Sequence, residues 1–209
     1  MAATSINNIV DSMSFSTPDI VRLKFLNINY NVFKELFQKV GQKMLDTSPR
    51  NRKFEIDADN TPTIKFLHEW ISGKYGNKGF LISGKIGCGK TFFVKIIVEI
   101  FKALRKTEFY FITARNFNRD YSEKGFKYYS QRPLLIDEFG RNENKLKTYG
   151  NDETPFIDMM LEKYENNSII IATSNYKIET LEEFYGQLLA DRFKEMLVYH
   201  IMKGDTRRK

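Results

Sequence analysis

Apolar residues return along this chain at two spacings, one helical and one extended, and from residue 80 onward the two alternate. Between Pro18 and Leu45, Val32, Leu36 and Val40 recur every four residues with Phe33, Phe37 and Met44 alongside, which predicts a helix with one apolar face. Asp46 to Arg52 interrupts that period with Thr, Ser, Pro and Asn and reads as a linker. Phe54-Glu55-Ile56-Asp57 is a short extended piece, and Thr63 to Gly73 is a second helix carrying Ile64, Leu67, His68 and Ile71. Strands are then predicted at Phe80–Ser83, Phe109–Ile112, Leu134–Ile136, Ser168–Ala172 and Leu197–Met202. Helices are predicted between them at Thr91–Leu104, Thr154–Tyr164 and Leu188–Met196. Unbroken apolar runs such as Leu134-Leu135-Ile136 suit strands buried on both faces, and strands alternating with helices predict a parallel sheet with crossover connections. Residues 1–17 are polar and read as a frayed start, and no internal repeat or low-complexity tract is present.

The first of those strands leads into Gly84-Lys85-Ile86-Gly87-Cys88-Gly89-Lys90-Thr91, and a helix follows at once. This is the strand–loop–helix context in which a glycine-rich loop cradles phosphates. Its glycines let successive N–H groups converge on an anion, and the helix N-terminus adds partial positive charge. Lys90 is read as reaching the β- and γ-phosphates of ATP, and the Thr91 hydroxyl as a magnesium ligand. Phe92 closes the candidate nucleotide-binding run, and Cys88 is a small filler. The strand Leu134-Leu135-Ile136 ends in Asp137-Glu138. Two acids at a strand end also make ordinary surface contacts. After a phosphate loop they are read as catalytic, with Asp137 holding Mg2+ and Glu138 polarising the attacking water. A third strand ends in Ser174-Asn175, where Asn175 is placed either to orient that water or as a plain turn residue.

These residues resemble Walker A, Walker B and sensor 1 of AAA+ ATPases. Glu183-Phe184-Tyr185-Gly186 followed by Leu189-Ala190-Asp191-Arg192-Phe193 is similar to the DnaC-type helicase loaders and IstB-type transposition ATPases. The resemblance implies that Arg192 is an arginine finger offered to a neighbouring subunit. It makes Arg208 the match to sensor 2, with Arg207 as the fallback. Tyr149-Gly150-Asn151 also looks loader-like. The resemblance covers residues 54–208, implies no large C-terminal lid, and leaves residues 1–50 without a match.

Composition supports a globular reading: 42% of residues are apolar, with 18 Phe and 11 Tyr to fill a core. A single cysteine allows no internal disulfide and fits a reducing compartment. No signal peptide is visible, and the longest uncharged apolar run, Ser168 to Thr173, is far too short to span a bilayer. A soluble cytoplasmic protein without membrane contact is expected. The net charge of +7 favours a polyanionic partner, although Lys-rich composition alone produces the same excess. Between Arg115 and Arg132, basic and aromatic residues interleave, so Arg115, Arg119, Lys124 and Lys127 are candidate contacts to single-stranded DNA. The other reading is an ordinary helix with its aromatics in the core. His68 and His200 are far apart and form no metal-ligand pattern.

The expected fold is an α/β parallel-sheet P-loop NTPase of the AAA+ type. A helical extension over residues 1–50 would precede an ATPase domain over 51–209, and either pack on it or dock a partner. The expected function is an ATP- and Mg2+-dependent loader of a replicative helicase, assembling as a homo-oligomer on single-stranded DNA. An IstB-like ATPase serving a transposase, a superfamily-three-like helicase and a non-catalytic nucleotide-binding scaffold remain alternatives.

Overall fold

The computed structural model describes residues 25–49, 52–105, 107–130, 132–142, 146–148 and 151–207, with side chains left out at 105, 146–148 and 151–153. Helix α1 (Tyr30–Asp46) comes first and α2 (Thr61–Ile71) follows. Strand β1 (Gly79–Gly84) leads to α3 (Lys90–Arg105) and β2 (Tyr110–Thr113). A short 3-10 turn, Ala114–Asn116, opens α4 (Phe117–Lys124) and α5 (Phe126–Ser130). Strand β3 (Leu134–Asp137) precedes two short strands, β4 (Leu146–Thr148) and β5 (Asn151–Glu153). The chain continues through α6 (Pro155–Glu165), β6 (Ile170–Ser174), α7 (Ile178–Tyr185), α8 (Gln187–Met196) and β7 (Leu197–Met202).

Five strands form one sheet in the order β2-β3-β6-β1-β7. All four pairings are parallel, as the predicted alternation requires. Because side chains alternate across a strand, the sheet divides the core in two. Phe80, Ile82, Leu135 and Ile171 face one cluster with α1, α2 and α3. Leu81, Leu134, Ile136, Ile170 and Ala172 face the other with α4 to α8. The apolar runs lack period-two alternation for this reason: both faces are covered.

Two features depart from the sequence reading. The first helix begins at Tyr30, where the Asn29 side chain accepts the Asn31 N–H at 2.8 Å as an N-cap. Residues 25–29 are non-helical, and residues 1–24, including the expected start at Pro18, lie outside the described residues. The antiparallel pair β4–β5 was not foreseen, since three residues per strand carry no readable period. Helix α1 packs on the core: Phe33 and Phe37 are fully buried, and Phe37 meets Phe93 of α3 at 5.3 Å between ring centroids. The linker and the piece after it are tied to the same helix, since Gln42 Nε2 donates to the Arg52 carbonyl at 3.2 Å and the Phe54 N–H donates to Gln42 Oε1 at 2.8 Å. Among the described residues, no helix is long and apolar enough to cross a membrane.

Candidate nucleotide site

Parallel register carries the ends of β1, β3 and β6 to the same edge of the sheet, with Ser83 beside Ser174. Carboxyl ends of strands in open α/β sheets are where ligands bind. The loop from Gly84 to Gly89 leaves β1 and turns into α3 at Lys90. Gly87 and Gly89 hold φ of +85° and +106°, which L side chains rarely adopt, and a Cβ at Gly87 would collide with Thr206. The loop is thus kept bare of side chains where backbone N–H groups must approach phosphate. Lys85 and Ile86 are exposed at its tip, whereas Cys88 is buried against the core.

Lys90 is almost fully buried. Its amine donates to the carbonyls of Gly84 and Lys85, both at 2.8 Å, and to Asn175 Oδ1 at 2.9 Å. Asn175 is therefore drawn to the loop. Thr91 Oγ1 donates to Asp137 Oδ1 at 2.6 Å, so the two candidate magnesium ligands already touch. Mg2+ binds through one or two protein oxygens plus phosphate and water, and a hydroxyl beside one carboxylate fits that donor set. Among the described residues there is no richer cluster of His, Cys, Asp or Glu. Glu138 stands at the strand end with φ +58°, and its carboxylate accepts from Arg141 Nη1 at 3.0 Å.

Sequence reasoning missed several residues here. Thr173 is buried, donates its hydroxyl to Asp137, and accepts the Glu138 N–H at 3.3 Å, so it ties the two acids to β6. Nothing in a lone strand threonine signals this. The cleft holds about 730 Å3 and extends past the loop to Leu45, Arg52, Phe54 and Phe92. The linker read as a boundary is thus one wall of the site. Arg207 also lines it. Its N–H donates to the Gly87 carbonyl at 2.9 Å, and its guanidinium meets Asp57 Oδ2 at 2.7 Å. Burial alone would raise the Asp57 carboxyl, but the Asn60 N–H and the Arg207 guanidinium outweigh it and hold Asp57 below the usual carboxylate range. Arg208 lies outside the described residues, as do Tyr149 and Gly150.

The remaining candidates lie elsewhere. Arg192 is on α8, away from the cleft lining, with its guanidinium 4.7 Å above the Tyr164 ring. Arg115, Arg119 and Lys127 are exposed. Lys124 is bound into a network: its amine meets Asp120 at 2.9 Å and also donates to Tyr110. Burial would raise the Asp120 carboxyl, yet bonds from Tyr129, Lys124 and Tyr110 together keep it low. Phe117 and Tyr129 are fully buried, so those two aromatics serve the core. His200 stacks on Phe66 at 4.5 Å and meets Thr63 at 2.9 Å, while His68 bonds the Ile28 carbonyl at 2.8 Å. Both histidines are packing residues.

A family model described as RNA helicase matches residues 80–176, just under half of the chain. No curated protein sequence matches it. Solved structures do. The crystal structure of the DnaC helicase loader superposes with a TM-score of 0.59 at 16% identity, covering 73% of this chain and 95% of that one. DnaI gives 0.57 at 19% identity, covering 82% and 93%. AMPPCP-bound DnaA from Aquifex aeolicus gives 0.56 at 18% identity, covering 73% of this chain and 49% of that one. At these identities the likeness establishes the fold: an α/β P-loop NTPase core with a parallel five-stranded sheet, shared with helicase-loader and initiator proteins.

Proposed function

We propose that this chain is a DnaC-like AAA+ ATPase that hydrolyses ATP with Mg2+ and uses the cycle to load or release a replicative helicase on single-stranded DNA. One observation carries the catalytic part: Lys90, Thr91, Asp137, Glu138 and Asn175, from three separate elements, line one cleft at the sheet's carboxyl edge. The loop N–H groups and Lys90 bind and orient the β- and γ-phosphates. Thr91 and Asp137 hold Mg2+, which would neutralise charge developing on the phosphates. Glu138 takes the proton of the attacking water, and Asn175 orients that water and couples it to Lys90. Arg192 completes the site of a neighbouring subunit, and Arg208, or Arg207, senses the γ-phosphate. In this reading residues 1–50 are a helical extension of an ATPase domain over 51–209, and its helix α1 packs on that domain through Phe33 and Phe37. Arg115, Arg119, Lys124 and Lys127 supply DNA contacts. The likeness to a helicase loader, covered along 95% of its length, supports this client over a transposase.

Replacing Glu138 by Gln tests the catalytic role. ATP turnover is expected to fall by about 10²–10⁴-fold, the usual contribution of a positioned general base. Nucleotide binding should persist, measured with a fluorescent ATP analogue. Undiminished turnover refutes the role of Glu138.

A second reading has its own support in the helicase family model over residues 80–176. A helicase would separate a forked DNA or RNA duplex by itself when supplied with ATP. A loader would not, but would raise the amount of helicase retained on single-stranded DNA.

A further inference from the structure

Arg141 is three residues beyond the candidate general base and shares its cleft. Its placement is built into the backbone. Glu138, Phe139, Gly140 and Arg141 form a turn closed by the Arg141 N–H to the Glu138 carbonyl at 3.0 Å. Gly140 holds the third position at φ +92°, where a turn of this kind requires positive φ. A Cβ there would stand 2.5 Å from Leu181 Cδ2, so the buried Leu181 side chain would have to shift to admit one.

Three backbone groups between the two charged residues are anchored. The Phe139 N–H donates to the Thr173 carbonyl at 2.7 Å, and the Phe139 carbonyl accepts Ser174 Oγ at 2.7 Å. The Gly140 N–H donates to Tyr185 Oη at 3.1 Å, and that hydroxyl donates in turn to Asn142. Phe139 itself is fully buried beside Phe156, Tyr185 and Phe193. The positive φ of Glu138 is a strained conformation for a residue with a side chain, and it persists only where surroundings over-determine it. The ion pair is partly exposed, 35% on each side chain, and pairs of that kind contribute little to stability. A rigid turn that delivers such a pair to a catalytic edge has its use in orientation.

We propose that Arg141 is a positioning residue for Glu138, holding one carboxylate oxygen so that the other faces the attacking water. This rests on the reading of the cleft as an ATPase site. Steady-state ATP hydrolysis, affinity for a fluorescent ATP analogue, and crystal structures are compared for the full chain and its Arg141→Ala and Arg141→Lys variants. If Arg141→Ala fails to fold, Arg141→Gln takes its place. In the neutral variant kcat should drop by about 10- to 100-fold, the scale on which a misplaced catalytic group costs rate. KM and analogue affinity should stay within about twofold in a group that does not bind substrate. Arg141→Lys should recover part of kcat, and the Glu138 carboxylate should leave its position in the neutral variant's crystal structure. An unchanged kcat overturns the proposal, and so does a weakened affinity at constant kcat, which would make Arg141 a nucleotide ligand. A wild-type chain that binds ATP without turning it over refutes the ATPase reading instead. In that case the crystal structure decides: a Glu138 that keeps its place without Arg141 overturns the positioning role.

Discussion

Lys163 is a cation placed in the core at the end of α6, fully buried, with its amine donating to the Arg132 carbonyl and to Ser168 Oγ at 3.0 Å. Burial drives its pKa down from 10.5 to about 7, with Glu162 opposing weakly. The unfolded chain keeps the ordinary value, so between pH 7 and 10.5 it binds a proton that the folded chain does not. Stability therefore rises with pH across that window, and the penalty is largest below pH 7. Lys163→Met removes the titration. The melting temperature of the wild type relative to this variant should climb from pH 7 to pH 10, by about 2–4 °C per kcal/mol for a chain of this size. Equal slopes for the two proteins would contradict it. The same scale shows what a sequence conceals. Lys90, Thr91, Asp137 and Glu138 were legible because each belongs to a local pattern with its own chemistry. Thr173 and Arg141 were not, because their significance comes from partners brought close by folding and by a turn.

Among the elements, α1 is set apart in sequence but packed on the core. The polar run after Leu45 separates it in sequence, yet Phe37 is fully buried and touches Phe54 and Phe93. Phe37→Ala should cost about 3–5 kcal/mol, as a truncated core aromatic does. Urea denaturation followed by circular dichroism measures it, and a loss below 1 kcal/mol would show that α1 is not part of the cooperative unit. Its apolar period was readable, since it depends on nearest turns alone. Its beginning was not, because Pro18 and the residues after it carry no competing period and only the Asn29 cap marks the start. The parallel strands were readable from their apolar runs, and their order was not, since register is set by contacts between distant segments.

At the scale of the molecule, the parallel sheet gathers three strand ends at one cleft and leaves the half-buried Arg192 outside its lining. In the proposed function Arg192 acts across a subunit boundary, as fingers supplied in trans do. Arg192→Ala should bind the ATP analogue normally but lose turnover by about 10³–10⁵-fold where the finger completes the site. Mixing it with Glu138→Gln should restore part of the lost turnover, because a mixed assembly can pair an intact glutamate with an intact finger. No recovery over a range of mixing ratios, with assembly shown by light scattering, would rule out a role in trans.

The sheet's division of the core has an optical consequence. The chain has a single tryptophan, Trp70, which is fully buried, donates its indole N–H to the Lys78 carbonyl at 2.8 Å and packs on Phe80 and Phe101. It belongs to the face of the sheet that carries α1, α2 and α3, while the opposite face holds Tyr129 and Tyr185. Emission excited at the red edge of the indole band therefore watches one side of the sheet, and tyrosine absorbance is weighted to the other. The molecule thus carries its tryptophan on one side of a partition and more of its packed tyrosines on the other, and the two melting curves coincide if both halves let go together.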